Sequence, residues 1–287
     1  MSGVEGRVIA VTGSGGGLGR EYALLLARQG AYLVINDLGG AKDGSGSGNS
    51  MADGVVQEII AAGGKAVASY DSVATTEGAD ALVAGAINAF GAIHGVVNNA
   101  GILRDSSFAK LTPENWDAVL KVHLYGGFNV TRAAWPYFRE QSYGRIVMAT
   151  STSGIYGSFG QANYGSAKLG LVGLVNTLSV EGARNNITAN AVAPLAATRM
   201  TEDQATPEML EKLRPAFVAP VVAYLLREEN VDTGNVYVTG GGLVQRIAQF
   251  QSPGVTFDAP PTVDELSARW GEIDDLSHAV PGVDPRG

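Results

Sequence analysis

The 287-residue sequence has no cysteine, only three histidines and few charged side chains, which make up 17% of it. Without cysteine, disulfides, thiolate catalysis and cysteine-based metal sites are excluded. The histidines, His94, His123 and His278, are too far apart in the sequence to form a recognisable metal motif. We therefore expect a protein without a metal site.

Long apolar runs and an excess of basic residues are also missing. No stretch of about 18 apolar residues occurs, and the N-terminal segment has no basic stretch followed by an apolar one. The formal net charge of -8 argues against a general binder of nucleic acid or of anionic membranes. These absences predict a cytoplasmic protein with a small-molecule substrate. An anionic substrate would need a local basic patch, for which Arg104, Arg145, Arg199 and Arg214 are candidates.

What the sequence does contain is a regular alternation of apolar, β-branched runs with longer helical stretches. The predicted strands are residues 7–12, 31–36, 65–70, 93–98, 144–150, 187–193 and 235–239. This alternation is typical of parallel strands joined by right-handed helical crossovers. We expect an α/β fold over residues 1–245, a single doubly wound Rossmann-type domain with a seven-stranded parallel sheet and helices on both faces.

Residues 246–287 are predicted to form a C-terminal extension, packed on the same domain or on a neighbouring subunit. A helix is expected there with Thr262 as its N-cap and Asp264 and Glu265 in its first turn. Long helices are also predicted at residues 113–141 and 160–183, and their small residues favour packing between subunits. We expect a homodimer or homotetramer.

A glycine-rich turn follows the first predicted strand, in Thr12-Gly13-Ser14-Gly15-Gly16-Gly17-Leu18-Gly19, and leads into a helix. Such a turn lets the backbone approach a pyrophosphate closely, and the helix N-terminus supplies free N–H groups. Glycines also serve ordinary turns, but this position between strand and helix indicates a dinucleotide site. Gly13, Gly17, Leu18 and Gly19 are its predicted contacts.

Asp37 ends the second predicted strand, about 20 residues beyond the glycines, where a carboxylate accepts hydrogen bonds from ribose hydroxyls. It would repel a 2′-phosphate, and no lysine or arginine lies within residues 14–17 or immediately after Asp37. The predicted cofactor is NAD, and Lys42 is the residue that would reverse this preference. The alternative is a turn-forming aspartate. The Gly- and Ser-rich residues 39–50 are expected to form a flexible loop, either without function or covering a ligand.

A tyrosine and a lysine stand four residues apart in Tyr164-Gly-Ser-Ala-Lys168, with Ser151 upstream. On a helix this spacing places both side chains on one face. A nearby cation lowers the pKa of a phenol from about 10, so Tyr164 would exchange protons near neutral pH. Ser151 would hold a substrate oxygen, and the pattern favours reversible oxidation of an alcohol. The alternative is an ordinary amphipathic helix with Lys168 in solvent.

Together these motifs resemble the short-chain dehydrogenase/reductase family over residues 6–245. The match includes Asp71-Ser72-Val73 after the third strand and Asn98-Asn99-Ala100-Gly101 after the fourth. The resemblance implies that residues 71–73 border the adenine and that Asn99 and Ala100 line the ribose side of the cofactor.

For the catalytic residues, the resemblance implies that Tyr164 is the acid/base and that Ser151 orients the carbonyl. Lys168 would lower the pKa of Tyr164 and bind the nicotinamide ribose. His123 stands where many members carry a structural asparagine that holds a water linked to the lysine. It is therefore either a fourth catalytic residue that relays protons or a neutral histidine of the core.

Longer runs are similar to the (3R)-hydroxyacyl-CoA dehydrogenase part of the peroxisomal multifunctional enzymes of β-oxidation, type 2. These runs are residues 34–40, 70–73, 99–105, 154–157 and 160–164. The chain looks like a stand-alone bacterial counterpart. This resemblance implies an NAD-dependent enzyme of fatty acid metabolism that interconverts (3R)-hydroxyacyl-CoA and 3-ketoacyl-CoA.

Three other functions remain open from the sequence. The chain would alternatively be a hydroxysteroid or other secondary-alcohol dehydrogenase, or a 3-oxoacyl carrier-protein reductase, which normally uses NADPH. A dinucleotide-binding sensor or scaffold without activity is the third. Such a protein would be expected to lose Ser151, Tyr164 or Lys168, and all three are present.

Overall fold

A twisted parallel sheet forms the centre of the computed structural model, which describes residues 3–196 and 206–282. The strands in the described residues are β1 (Val8–Thr12), β2 (Tyr32–Asn36), β3 (Lys65–Ser69), β4 (Gly95–Asn98), β5 (Gly144–Ala149), β6 (Ile187–Pro194), β7 (Val236–Gly240), β8 (Leu243–Ile247), β9 (Phe250–Gln251) and β10 (Val280–Pro281). The seven predicted strands correspond to β1 to β7. The prediction of an α/β fold with a parallel sheet is confirmed.

Strand order in the main sheet is β3-β2-β1-β4-β5-β6-β7-β8. Every pairing from β3 to β7 is parallel. Within the described residues, the sheet has one strand more than the seven that were predicted. The additional strand is β8, which follows β7 after only Gly241 and Gly242. A link of two residues suits a hairpin rather than a parallel crossover, so β8 extends the sheet without another helix.

Helices connect the strands. Those in the described residues are α1 (Gly17–Arg28), α2 (Ser50–Ala61), α3 (Thr76–Phe90), α4 (Pro113–Leu120), α5 (Gly126–Glu140), α6 (Thr152–Tyr156), α7 (Ala162–Gly182), α8 (Pro207–Lys212), α9 (Ala219–Leu225), α10 (Val263–Ala268) and α11 (Trp270–Asp274). A π-helical turn, Lys121–Tyr125, joins α4 to α5. The two long helices predicted at residues 113–141 and 160–183 are therefore present. None of the described helices is long and apolar enough to span a membrane.

The two faces of the sheet are covered by different helices. Ile9, Val11, Leu33 and Ile35 belong to one buried cluster with residues of α1, α2 and α9. Because side chains alternate along a strand, the residues between them point to the other face. There α3 packs against α5, and α5 against α7. Burial on both faces explains why β1, Val8–Thr12, is buried at every position.

The chain divides into two compact units, Met1–Gln245 and Arg246–Gly287. In the second unit, Thr262 caps α10 as predicted, since its hydroxyl accepts the Glu265 N–H while the Glu265 carboxylate accepts the Thr262 N–H. Strands β9 and β10 pair antiparallel. What the extension packs against stays a prediction.

Candidate active site at the carboxyl edge of the sheet

A cavity of about 440 Å³ opens at the carboxyl edge of the sheet, where β1 and β4 are neighbours. Chain connections leave β1 and β4 in opposite directions, which is the usual place for a ligand in such sheets. The predicted site residues that line this cavity are Gly13, Gly17, Leu18, Asp37, Asp71, Ser72, Val73, Asn99, Ala100, His123, Tyr164 and Lys168. The structure thus brings most of the predicted site together.

Two predicted residues do not line the cavity wall. Gly19 packs inside the turn, and a Cβ atom placed on it would lie 2.3 Å from the backbone oxygen of Gly13. Ser151 caps α6 by accepting the Ser153 N–H at 3.1 Å. Gly19 therefore acts through close packing of the turn against the helix. Ser151 is connected to the site as a hydrogen-bond partner of the Tyr164 phenol.

The first turn of α1 presents backbone N–H groups next to the cavity. Its N-cap is Gly16, which has no side chain to satisfy these groups, and Gly16 and Gly17 both line the cavity. Unpaired N–H groups and the positive end of the helix dipole favour a negatively charged group. This turn fits the pyrophosphate of a dinucleotide.

Thr12 joins the two strands that border the cavity. Its hydroxyl accepts the N–H groups of Asn99 and Ala100, both at 3.0 Å, and donates to the Val97 carbonyl at 3.3 Å. From the sequence, Thr12 was recognisable as part of the glycine turn but had no predicted role. The only available signal was its position at the end of β1.

Asp37 lies at the end of β2 and is half-buried. One carboxylate oxygen accepts the Gly15 N–H and the other the Gly39 N–H, each at 2.8 Å. Asp37 thus ties the glycine turn to the loop after β2. The contact with ribose hydroxyls stays a prediction, and the position in the cavity suits it.

The segment of residues 71–73 is held in place by buried polar side chains. Asn36 donates to the Asp71 carbonyl at 2.9 Å and to the Ser69 hydroxyl at 3.0 Å. Asn129 donates to the Val73 carbonyl at 3.0 Å. These contacts place the segment at the cavity wall, where the family resemblance puts the adenine.

Tyr164 and Lys168 lie on one face of α7, as their spacing predicted. The Lys168 ammonium is 5.4 Å from the centroid of the Tyr164 ring and donates to the Ala149 carbonyl at 2.5 Å. Lys168 is buried rather than solvated. Burial lowers its pKa from 10.5 to about 7, so this amine exchanges protons near neutral pH.

The pKa of Tyr164 does not move in the expected direction. Burial raises the pKa above its ordinary value, the Ser151 hydroxyl opposes this as a hydrogen-bond partner, and the Asp105 carboxylate adds to it. Lys168 is not among the groups that shift this pKa, and its ammonium donates to the Ala149 carbonyl. Tyr164 is a protonated phenol in this arrangement.

His123 lies in the π-helical turn, with its ring edge-on to the Tyr164 ring at 5.1 Å between centroids. Its Nε2 lies 3.0 Å from the Ile102 nitrogen and 2.8 Å from the Ile102 oxygen, while Nδ1 is buried without a protein partner. Burial, and then the Lys168 charge, lower the pKa of His123 well below 6.5. The structure supports a neutral imidazole, and a proton relay stays a prediction.

Gly101 makes room for this histidine. A Cβ atom at position 101 would lie 2.2 Å from the His123 Cε1 atom. The position of the His123 ring therefore requires a glycine at position 101. Gly101 and His123 occur in separate sequence motifs, and their contact is visible only in the structure.

Asn163, which the sequence analysis did not single out, fixes the start of α7. It is completely buried, accepts the Tyr164 N–H at 2.8 Å and donates to the Arg104 and Asn115 carbonyls. Its position directly before Tyr164 was the only signal.

Of the candidate arginines, Arg104 lines the cavity. Arg145 is buried elsewhere and donates to backbone carbonyls, including those of Asn186 and Glu228. Arg214 is paired with Glu211 in an exposed position, and Arg199 lies outside the described residues. Within residues 3–196 and 206–282, no group of three or more metal-ligating side chains lies together.

Comparison with known proteins agrees with this geometry. The short chain dehydrogenase family model matches residues 7–208. A putative short-chain type dehydrogenase/reductase of Mycobacterium tuberculosis is 67% identical over 97% of this chain and 98% of its own length. The mouse peroxisomal multifunctional enzyme type 2 is 49% identical over 96% of this chain, which spans 37% of that protein.

The fold is also shared with a solved structure. A short chain dehydrogenase from Mycobacterium avium superposes with a TM-score of 0.85 at 40% identity, covering 98% of both chains. Family match, identity and fold lead to one conclusion. The chain belongs to the short-chain dehydrogenase/reductase family of oxidoreductases.

Proposed function

We propose that this enzyme is an NAD-dependent dehydrogenase that interconverts (3R)-hydroxyacyl-CoA and 3-ketoacyl-CoA. The observation that carries the reaction type is the group of Tyr164, Ser151 and the buried Lys168 beside a cavity that fits a dinucleotide. The dinucleotide supplies the hydride acceptor.

In the oxidative direction, Tyr164 first gives its phenol proton to solvent, and the resulting phenolate then takes the proton of the substrate hydroxyl. A buried phenolate needs a nearby cation, and Lys168, one helical turn away, would supply it in its protonated form. With a pKa of about 7, Lys168 gains or loses its proton within the physiological range. Ser151, which already interacts with the phenol, would hold the substrate oxygen.

Two arguments support the choice of cofactor and substrate. The Asp37 carboxylate lies in the cavity, and its charge disfavours a 2′-phosphate, so NAD is preferred over NADP. The substrate class rests on the motif runs similar to the hydroxyacyl-CoA dehydrogenase part of the multifunctional enzymes, and the mouse member is 49% identical.

The purified protein tests this proposal directly. We expect NADH to form with a (3R)-hydroxyacyl-CoA and NAD, and much more slowly with the (3S) isomer or with NADP. Tyr164→Phe should lower the rate by about a thousandfold, a typical loss for an acid/base group, while NADH fluorescence still reports binding. Tyr224→Phe, at an exposed position on α9, is the matched control.

The assay also separates the other functions. Activity on steroids but not on CoA esters would overturn the substrate and keep the reaction class. A preference for NADPH with carrier-protein substrates would identify a reductase instead. A protein that binds NADH and turns over none of these alcohols would contradict the enzymatic proposal.

A homodimer or homotetramer and a cytoplasmic location stay predictions. A groove lined by Phe128, Trp135, Leu174 and Leu178 runs between α5 and α7, the two long helices expected to pack between subunits. Phe128 is 46% exposed in the single chain. This surface is the one we propose for contact with a second copy.

A further inference from the structure

The loop after β2, residues 38–48, has a defined conformation despite its glycine content. The Gly48 N–H donates to the Leu38 carbonyl at 2.9 Å and closes the base of the loop. The Ala41 N–H donates to the Ser45 carbonyl at 2.8 Å and forms its tip. We call residues 38–48 the strap.

The tip of the strap is joined to residues 102–104, which follow β4. The Leu103 N–H donates to the Lys42 carbonyl at 2.9 Å, and the Arg104 Nε donates to the Asp43 carbonyl at 2.9 Å. Gly44 packs on Ile102, since a Cβ atom at position 44 would lie 3.1 Å from the Ile102 Cγ2 atom. We call these three contacts the latch.

Sheet order shows what the strap crosses. The strap begins at the end of β2 and its partner segment follows the end of β4, and β1 lies between these two strands. The glycine turn extends from the end of β1. Gly40, Ala41, Lys42 and Gly44 of the strap line the same cavity as Gly13, Gly16 and Gly17 of the turn. The latched strap therefore bridges the turn and forms one wall of the cavity.

Arg104 is held firmly on the opposite side of the cavity. Its Nη1 donates to the Asn115 side chain at 3.3 Å, and its carbonyl accepts the buried Asn163 side chain at 3.1 Å. Its guanidinium is thus fixed at the point where the strap arrives. The neighbouring Ile102 contacts His123 through its backbone, and the His123 ring packs edge-on against Tyr164, so the latch is connected to the Tyr164 side of the cavity.

We propose that the strap closes over the dinucleotide on the glycine turn, and that Arg104 is the positioning residue that latches it. This inference rests on the proposed dinucleotide site and adds to it a wall that the glycine turn does not provide. Lys42 brings a positive charge to this wall, whereas residues 13–17 of the glycine turn carry no charged side chain.

Release of the cofactor then requires the latch to open. Two hydrogen bonds and one packing contact must break for this. The strap controls the rate at which the dinucleotide leaves, while the contacts to its phosphates and ribose determine which ligand is bound.

Arg104→Ala is the first test. We expect the dissociation rate of NADH, followed by stopped-flow fluorescence, to rise at least tenfold, with a thermal midpoint close to that of the unchanged protein. Arg104→Lys should lie between the two. Arg28→Ala, exposed at the far end of α1, is the matched control and should release NADH at the original rate.

A cross-linked strap gives the opposite result. A Cβ atom at position 44 would lie 3.7 Å from the Ile102 Cβ atom, which is within the range of a disulfide. Because the sequence has no cysteine, Gly44→Cys with Ile102→Cys introduces the only possible pair. Oxidised while NADH is bound, this variant should retain NADH through gel filtration and release it when reduced. The two single variants should release NADH with or without oxidant.

The outcomes separate this inference from the proposed function. If the unchanged protein binds neither NAD nor NADH, the dinucleotide site itself is wrong. If it binds NADH and Arg104→Ala releases it at the original rate, the latch is overturned. The strap is also overturned if the oxidised and reduced forms of the cysteine pair release NADH equally fast.

Discussion

The two halves of the cavity hold their groups in different ways. The nucleotide half, residues 12–48, is built from backbone: glycines that allow close approach, N–H groups at the start of α1, and Asp37 bonded to two further N–H groups. The chemical half comprises His123, Ser151, Tyr164 and Lys168. It is built from ionisable and hydroxyl side chains, of which His123 and Lys168 are buried while Ser151 and Tyr164 are half-buried.

This difference indicates which changes each half tolerates. In the nucleotide half the important quantity is the space between backbone segments, so added volume is the disturbance that matters. In the chemical half it is the cost of carrying a charge away from water, which shifts the pKa values of Lys168 and His123 downward and that of Tyr164 upward. There, pH is the disturbance that matters.

The largest effect is expected from one methyl group in the nucleotide half. In Gly19→Ala the new Cβ would overlap the Gly13 oxygen at 2.3 Å, and since this neighbour is backbone, rotation of a side chain cannot relieve the contact. Overpacking of this kind costs about 1–3 kcal/mol, and the turn must deform. We expect NADH affinity to fall by up to about a hundredfold, measured by fluorescence titration.

The same substitution elsewhere provides the control. Gly85 lies in α3, and a Cβ there would meet nothing within 4 Å. Gly85→Ala should raise stability slightly, by about 0.5–1 kcal/mol, because alanine is the better helix residue. Equal NADH affinity in the two variants would contradict the view that backbone spacing defines the nucleotide half.

Much of this architecture could be predicted from the sequence because the relevant signals are local. Apolar runs located β1 to β7, and a spacing of four residues placed Tyr164 and Lys168 on one face of α7. The glycine turn was recognisable from its place between a strand and a helix. Each of these inferences needs only neighbours within a few residues.

What could not be predicted depends on contacts between distant segments. Burial of Tyr164 raises its pKa against the expected direction, and Lys168 donates to the Ala149 carbonyl. The fit of His123 against Gly101 joins the π-helical turn to the segment after β4. The latch links Asp43 to Arg104 across 61 positions, so a Gly- and Ser-rich stretch that looks merely flexible has a definite place.

The next largest effect concerns the charge of Lys168 in the chemical half. Its pKa is about 7 in the folded protein and about 10.5 in the unfolded chain. Between these values the unfolded chain carries a proton that the folded protein lacks, so stability rises with pH. The free energy of unfolding of the unchanged protein minus that of Lys168→Met should increase over this window, by up to about 1.4 kcal/mol per pH unit.

Urea denaturation at several pH values from 7 to 10 measures this difference. Lys110→Met, at an exposed position, should show no such trend. A flat difference for Lys168→Met would mean that the ammonium keeps its charge when buried. The chemical half would then not be governed by desolvation, and the contrast between the two halves would fail at its main point.

The smallest effect is expected at His123, where the choice between core residue and proton relay is still open. A neutral, buried imidazole predicts that His123→Asn lowers kcat by less than about tenfold, a smaller loss than an acid/base group shows.

Burial holds the pKa of His123 well below 6.5, so below that pH the unfolded chain gains a proton that the folded protein does not bind. The stability of the unchanged protein relative to His123→Asn should therefore fall as the pH drops below about 6.5. His278→Asn, exposed in the extension, is the control and should not change this acid dependence. A loss of more than about a hundredfold in kcat, together with a shifted pH profile of the rate, would instead place His123 in the proton path.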